Sequence, residues 1–216
     1  MTHRIPTLLK RHFVFPYAVY KTLLCKSSYL NSSGWMKSLQ NGKPTTADGS
    51  SLPWMNYPVI NFLENRLTKA HDLFEFGSGY STRFYASLVR SVTSVEYDAA
   101  WCKRVAAELP ANVELIHQPA DLDGEYCRVI HRNQKQYDVV VVDGYDRNNC
   151  IYQTLSCLKD SGVIVLDDSS RDDYNPAIAE TRRLGFRALE FVGIKPTSCK
   201  MHQTTILYRD GNTFGL

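Results

Sequence analysis

The sequence predicts a doubly wound α/β fold on a mostly parallel seven-stranded sheet, with an antiparallel hairpin at one edge and a helical extension at the N-terminus. Three observations lead there. From residue 73 onward, strand-like and helix-like segments alternate. The runs Val139-Val140-Val141-Val142 and Val163-Ile164-Val165-Leu166 are apolar on both faces, as strands covered by helices on two sides must be. The last two strand-like segments are joined by a stretch with little helical pattern, residues 193–202, so they pair as a hairpin.

Taken in order, the chain begins with a basic segment. Residues 1–47 carry seven Lys or Arg and no Asp or Glu, although the net charge of the whole chain is only +3. The remainder is therefore mildly acidic. Among the early bases lie Leu8, Leu9, Phe13, Phe15, Tyr17, Tyr20, Leu23 and Leu24. That mixture predicts a helical lid packed on the body, with peripheral contact of residues 1–30 with an anionic membrane as the alternative. Residues 41–51 are rich in turn formers and read as a linker or mobile loop. The expected division is an extension over 1–51 and a main domain over 52–216.

Beyond the linker, apolar residues at 59, 60, 63 and 67 mark one face of a helix. Strands are expected at 73–76, 91–96, 112–117, 137–143, 162–167, 187–192 and 204–209. Helices are expected at 82–89, 99–109, 148–158 and 176–184. With 216 residues, 44% of them hydrophobic, the chain can bury a full core. The six cysteines, at 25, 102, 127, 150, 157 and 199, have no metal-knuckle or dithiol spacing, which predicts a reduced cytoplasmic protein. No run approaches the roughly 18 apolar residues of a membrane helix. The acidic body argues against a nucleic-acid partner.

The stretch FEFGSGYST, residues 74–82, carries the first chemical signal. It leaves a strand and opens a helix, so Gly77 and Gly79 can turn the backbone close to a ligand, and the amides there can receive it. Ser78, Ser81 and Thr82 belong to the same loop. About twenty residues later Glu96, followed by Tyr97, ends the second strand, where a carboxylate can accept both hydroxyls of a ribose. A dinucleotide fingerprint would need a third glycine where Thr82 stands, and Glu75 would repel a diphosphate.

In these residues the chain resembles the class I S-adenosylmethionine-dependent methyltransferases over about residues 54–210. Their first motif is an acid followed by G-x-G, and their second strand ends in a ribose-binding acid. The resemblance implies a Rossmann-like methyltransferase sheet and S-adenosylmethionine as cofactor. It makes Glu75, Gly77, Ser78, Gly79, Ser81, Thr82, Glu96, Tyr97, Asp121 and Asp143 the cofactor-binding set, with Asp123 an equal candidate to Asp121 near the adenine. Glu75 either meets the cationic amino-acid end of the cofactor or braces the loop that does.

Asp143 ends the fourth strand, and Asp167 and Asp168 end the fifth. Three carboxylates brought to adjacent strand ends repel one another unless protons or a cation intervene, and hard oxygen ligands suit Mg²⁺. This pattern resembles the metal-dependent O-methyltransferases of the catechol and macrocin types, which implies Asp143, Asp167 and Asp168 as metal ligands. The acceptor would then be a hydroxyl of a small molecule or saccharide. Where the catechol type has a lysine base, this chain has Asp146; Asp143, Asp146 and His202 are the candidates for the base. The reading that leaves the trio without metal has Asp143 lining the cofactor pocket and the two later acids capping a helix. Arg147, Arg171 and Arg182 read as surface ion-pair partners, and His71, His117 and His131 as surface or strand-end residues. Trp54, Tyr57 and Tyr80 are expected either to wall the active site or to pack in the core. The competing functional reading is a methyltransferase-fold scaffold that performs no transfer and acts through its basic N-terminus.

Overall fold

Because successive side chains of a strand point to opposite faces, a run of four valines builds two cores at once. In the computed structural model, which describes residues 14–216, Val139 and Val141 pack with Leu63, Tyr85 and Ile206 on one face. Val140 and Val142 pack with Tyr126, Ile130 and Ile151 on the other. These valines belong to β4 (Tyr137–Val142), at the centre of a sheet with β1 (Asp72–Phe76), β2 (Ser91–Glu96), β3 (Val113–His117), β5 (Leu158–Leu166), β6 (Arg187–Ile194) and β7 (Met201–Tyr208). The strand order is β3-β2-β1-β4-β5-β7-β6. The strands from β1 to β5 pair in parallel, and β7 inserts antiparallel between β5 and β6. The predicted hairpin is therefore present, with its second strand on the inside.

The helices are α1 (Val14–Val19), α2 (Tyr29–Ser32), α3 (Trp35–Asn41), α4 (Tyr57–Arg66), α5 (Tyr80–Leu88), α6 (Ala99–Ala106), α7 (Glu125–Arg128), α8 (Arg147–Thr154) and α9 (Asn175–Arg183). A π-helical turn, Tyr20–Leu24, continues α1. Asn56 starts α4 by accepting the Val59 amide at 3.0 Å, and its own amide donates to Thr204 Oγ1 at 2.9 Å and to the Phe191 carbonyl at 3.0 Å. One cap thus ties a helix start to both strands of the edge hairpin. The helix expected over 148–158 stops at Thr154, whose hydroxyl bonds back to the Cys150 carbonyl. Strand β5 starts earlier than expected, because Leu158 pairs with Tyr137 ahead of a register irregularity.

The N-terminal helices share the core of the sheet. Trp35 is 7% exposed within the cluster of Leu63 and Val139, and Leu23, Leu30 and Met36 pack against it. The expected linker is an ordered turn clipped to α3. Ser38 Oγ exchanges bonds of 3.0 and 2.9 Å with the Thr45 carbonyl and amide, and Thr45 bridges to Ser51. The close approach requires a glycine at position 34, where φ is 85° and a Cβ would lie 2.2 Å from the Thr45 carbonyl oxygen. The basic-aromatic residues before 14, Phe13 among them, lie outside the described residues. No helix among the described residues is long and apolar enough to cross a membrane.

Trp35 Nε1 also donates to the Ser198 carbonyl at 3.0 Å, across 163 positions of sequence. Trp35→Ala is expected to destabilise the whole chain by about 3–5 kcal/mol, with a single cooperative transition in urea denaturation. A separate early transition, with the main one unchanged, would show that the extension folds apart from the sheet.

Candidate active site

The strand order reverses between β1 and β4, and the crevice outside the carboxyl ends of these strands is where such sheets receive ligands. A cleft of about 440 Å³ opens there, bounded by the loop after β1, the ends of β2 and β4, and the rings of Trp54, Tyr80, Tyr97, Trp101 and Tyr145. Its floor is two interlocked loops. The Gly77 amide donates to Val95 and the Asp143 amide to Phe76. Gly77 has φ 95°, and a Cβ on it would lie 2.9 Å from Gly144 Cα. The first glycine therefore serves the crossing of two backbones. Gly79 also lines the cleft, and an added Cβ there would meet only the Trp101 ring, at 3.7 Å.

Glu75 is wholly buried and does not line the cleft. Its carboxylate accepts the hydroxyls of Ser81 at 2.5 Å, Thr82 at 2.6 Å and Ser94 at 2.7 Å. Of its two expected roles, the bracing one matches this geometry, since the carboxylate spends its acceptors on the first turn of α5 and on β2. Burial pushes the Glu75 carboxyl up to about 7, against the pull of the three hydroxyls. Ser81 and Thr82 are thus engaged with Glu75, and Thr82 Oγ1 also accepts the Gly79 amide.

Glu96 lies on the cleft wall and is 4% exposed. Its Oε1 accepts the amides of Tyr97 and Asp98, both at 2.9 Å, and its Oε2 accepts the Ser78 amide at 3.1 Å and hydroxyl at 3.2 Å. Sequence reasoning did not single out Trp101, whose Nε1 donates to the Ser78 carbonyl at 2.9 Å and locks the glycine loop from the side of α6. A tryptophan on a helix carries no local mark of such a contact. Asp121 is not among the residues that line the cleft; it accepts the amides of Glu125 and Tyr126 and so starts α7.

Asp143 lines the cleft, and its Oδ1 lies 2.9 Å from Arg147 Nη2. Arg147 is no surface residue, contrary to expectation. Its side chain is 10% exposed and donates to the carbonyls of Asp143, Gly144 and Asp167. Burial raises the Asp143 carboxyl to about 6 although Arg147 opposes the rise. Burial and the charge of Asp143 raise Asp167 to about 7. Asp168, by contrast, is held below the usual carboxylate range: burial pushes it up, and Lys195, His202, Arg147 and Arg171 together outweigh this.

The acid trio is thus close enough for its charges to interact, as expected, but its oxygens already have partners. Asp167 Oδ1 accepts Thr204 Oγ1 at 2.6 Å. Asp168 faces Arg171 at 2.8 Å, His202 Nδ1 at 3.2 Å and Lys195 at 3.4 Å. Among the described residues no group of three His, Cys, Asp or Glu side chains is arranged to hold a metal ion. A divalent cation needs carboxylate oxygens with open positions around it, and this donor set, filled with ammonium and guanidinium groups, does not fit Mg²⁺. Of the three base candidates, Asp143 is on the cleft wall. Asp146 is taken up by Asn149 and the Asp123 amide, and His202 by Asp168 and Ser198. Trp54 and Tyr80 line the cleft, whereas Tyr57 is buried beside the N-terminal helices. Of the two places expected for His71, it takes the strand end: it directly precedes β1, is 7% exposed and bonds to Thr213.

Solved structures share this architecture. The chain is similar to an rRNA methylase from Streptococcus thermophilus, at 16% identity and a TM-score of 0.53 over 70% of this chain and 96% of that one. It is similar to precorrin 8w decarboxylase from Methanobacterium thermoautotrophicum, at 19% identity and 0.54 over 69% and 87%. A Streptococcus mutans protein described as a methyltransferase, in complex with SAH, aligns at 14% identity and 0.51 over 68% and 94%. At such identities the likeness shows the fold alone, a mostly parallel seven-stranded Rossmann-like α/β sheet that methyltransferases of known structure also have. No family model and no curated protein matches the chain.

The two glycines should respond differently to substitution. Gly77→Ala is expected to cost about 1–3 kcal/mol from backbone strain and the contact with Gly144, whereas Gly79→Ala should change stability by less than about 1 kcal/mol; urea midpoints compare them. The pH dependence of stability carries the Glu75 signature. Between its ordinary 4.5 and its folded value of about 7, the unfolded chain has released a proton that the folded chain retains. Stability from this group is therefore complete at low pH and declines as pH rises through that window, with a slope of at most about 1.4 kcal/mol per pH unit. Glu75→Gln should remove one proton's share of that decline.

Proposed function

We propose that the chain transfers a methyl group from S-adenosylmethionine to a hydroxyl of a small molecule or saccharide. One observation carries the reading: the glycine loop, the strand-end carboxylate of Glu96 and the partly exposed carboxylate of Asp143 share a single cleft where the strand order reverses. The residues fit the cofactor. Gly79 leaves the cleft floor open, and Tyr97 and Trp101 border it beside Glu96. The Ser78 hydroxyl, at 3.2 Å the longest of the four bonds to Glu96, can be exchanged for a ribose hydroxyl. When bound, the cofactor supplies an electrophilic methyl on a sulfonium centre.

The chain's own contribution is placement and a base. Asp143 takes the proton of the acceptor hydroxyl as the oxygen–methyl bond forms and the sulfur–methyl bond breaks, leaving S-adenosylhomocysteine and a methyl ether. Arg147, one turn away on α8, pairs with the Asp143 carboxylate and donates to its carbonyl. As Asp143 acts in its ionised form, turnover is expected to rise with pH through about 6.

The acceptor reading joins the cleft to the N-terminal segment. On α1 and its π-turn, Phe15 is 78% and Leu24 68% exposed, and Lys21 and Lys26 stand nearby in a stretch without acids. Such a surface suits peripheral contact with an anionic membrane and an acceptor carried there. Co-sedimentation with vesicles of anionic lipid should show binding that weakens with salt; absence of binding at low salt removes this part of the reading.

Calorimetric titration of S-adenosylhomocysteine tests the cofactor site. Binding by the wild-type chain, reduced by about 1.5–3 kcal/mol in Glu96→Ala, is expected. Asp143→Asn should bind almost as well yet lose about 10²–10⁴-fold in turnover. Binding without turnover on any hydroxyl acceptor would favour the scaffold reading, and failure to bind at all would remove the methyltransferase reading.

A further inference from the structure

Lys195 follows β6 at the start of the turn that leads to β7, and it lies among the acids of the site. Its Nζ is 3.4 Å from Asp168 Oδ1, and the side chain is 18% exposed. Its charge also reaches Asp143 and Asp167, opposing the rise that burial imposes on both. The turn that carries it is fastened at three points. Trp54 Nε1 donates to Thr197 Oγ1 at 2.9 Å, Trp35 Nε1 to the Ser198 carbonyl at 3.0 Å, and Ser198 Oγ pairs with His202 Nε2 at 3.2 Å. A lysine held this way is a fixed charge, unlike the solvated lysines of a surface.

A carboxylate cluster at converging strand ends needs positive charge from some source. A bound divalent ion is one, and an ammonium group is another; both cannot occupy the same oxygens. We propose that Lys195 is a built-in cation that takes the place of a divalent metal beside Asp143, Asp167 and Asp168, so that the site excludes metal and works without it. Lys195 is then a positioning residue. It holds Asp168, and with His202 and Arg171 it leaves Asp143 as the carboxylate that faces the cleft. The consequence for turnover rests on the methyl-transfer reading, whereas the exclusion of metal does not.

The test is a Mn²⁺ titration near neutral pH, read by electron paramagnetic resonance of the unbound ion and by the shift in thermal unfolding. The wild-type chain is expected to show no saturable site tighter than about 1 mM. Lys195→Met, which keeps the aliphatic stem, should gain one Mn²⁺ per chain with an affinity at least about tenfold higher, and Mn²⁺ should raise its unfolding temperature. Lys195→Arg should behave as wild type, and Asp167→Asn added to Lys195→Met should abolish the gain. A micromolar site in the wild-type chain that Asp168→Asn removes would overturn the proposal. So would a folded Lys195→Met that gains no site. If Lys195→Met does not fold, a Mn²⁺ site in Lys195→Arg overturns the proposal, and continued exclusion by it and by wild type supports it. Turnover in the presence of a chelator separates the two ideas: metal behaviour as expected with no methyl transfer overturns the proposed function and leaves Lys195 in its role.

Discussion

Everything at the mouth of this sheet depends on a carboxylate sealed inside it. Among the described residues Glu75 has no cation beside it; it has no water-facing surface, and its carboxylate is met by three hydroxyl groups. Two of these hydroxyls come from the first turn of α5 and the third from β2, so one side chain fixes the strand, the loop that leaves it and the neighbouring strand. Hydrogen bonds to a buried carboxylate are costly to leave unmade, which is why the loop has little freedom to rearrange. Glu96 repeats the device one strand over, with backbone amides as donors. The backbone that lines the cleft is held in both places by the chain's own side chains.

The second organising fact is the balance of charge around β4 and β5. Three acids and three permanent cations, with His202 as a fourth basic group, occupy a region where few of the side chains reach solvent. Arg147 does most to knit it, since its guanidinium bonds to three carbonyls and one carboxylate drawn from the ends of both strands. A planar group with several fixed donors suits such a junction better than a lysine would.

Much of this was legible in the sequence because the signals are local. Paired valine runs show a strand covered on both faces, and an acid, two glycines and a later strand-end acid lie within 22 positions of chain. Asp143, Asp167 and Asp168 were also readable as neighbours, since parallel strands bring their ends together. What stayed hidden depends on contacts between distant loops. Arg147 looked like a surface residue because only the folded chain closes four acceptors around it. The trio looked like a metal site because nothing near Lys195 in sequence announces that its turn folds back over β5. Trp101, Asp121 and the ordered 41–51 turn belong to the same class, their roles being set by partners elsewhere.

The reversed strand has a further effect on the composition of the site. In a sheet that is parallel throughout, the ligand-facing rim is supplied only by residues that leave strands, and the segments that enter strands lie on the far side. Here β6 runs with β5 and β7 runs against it, so the turn between them comes to that same rim. His202 therefore meets Asp168 at the start of one strand and the end of another, across 34 positions of sequence. Connecting those strands by a helical crossover would carry Lys195, Thr197, Ser198 and His202 away together. The rim would then lose in one change two of its four basic groups and the anchor points of both Trp35 and Trp54.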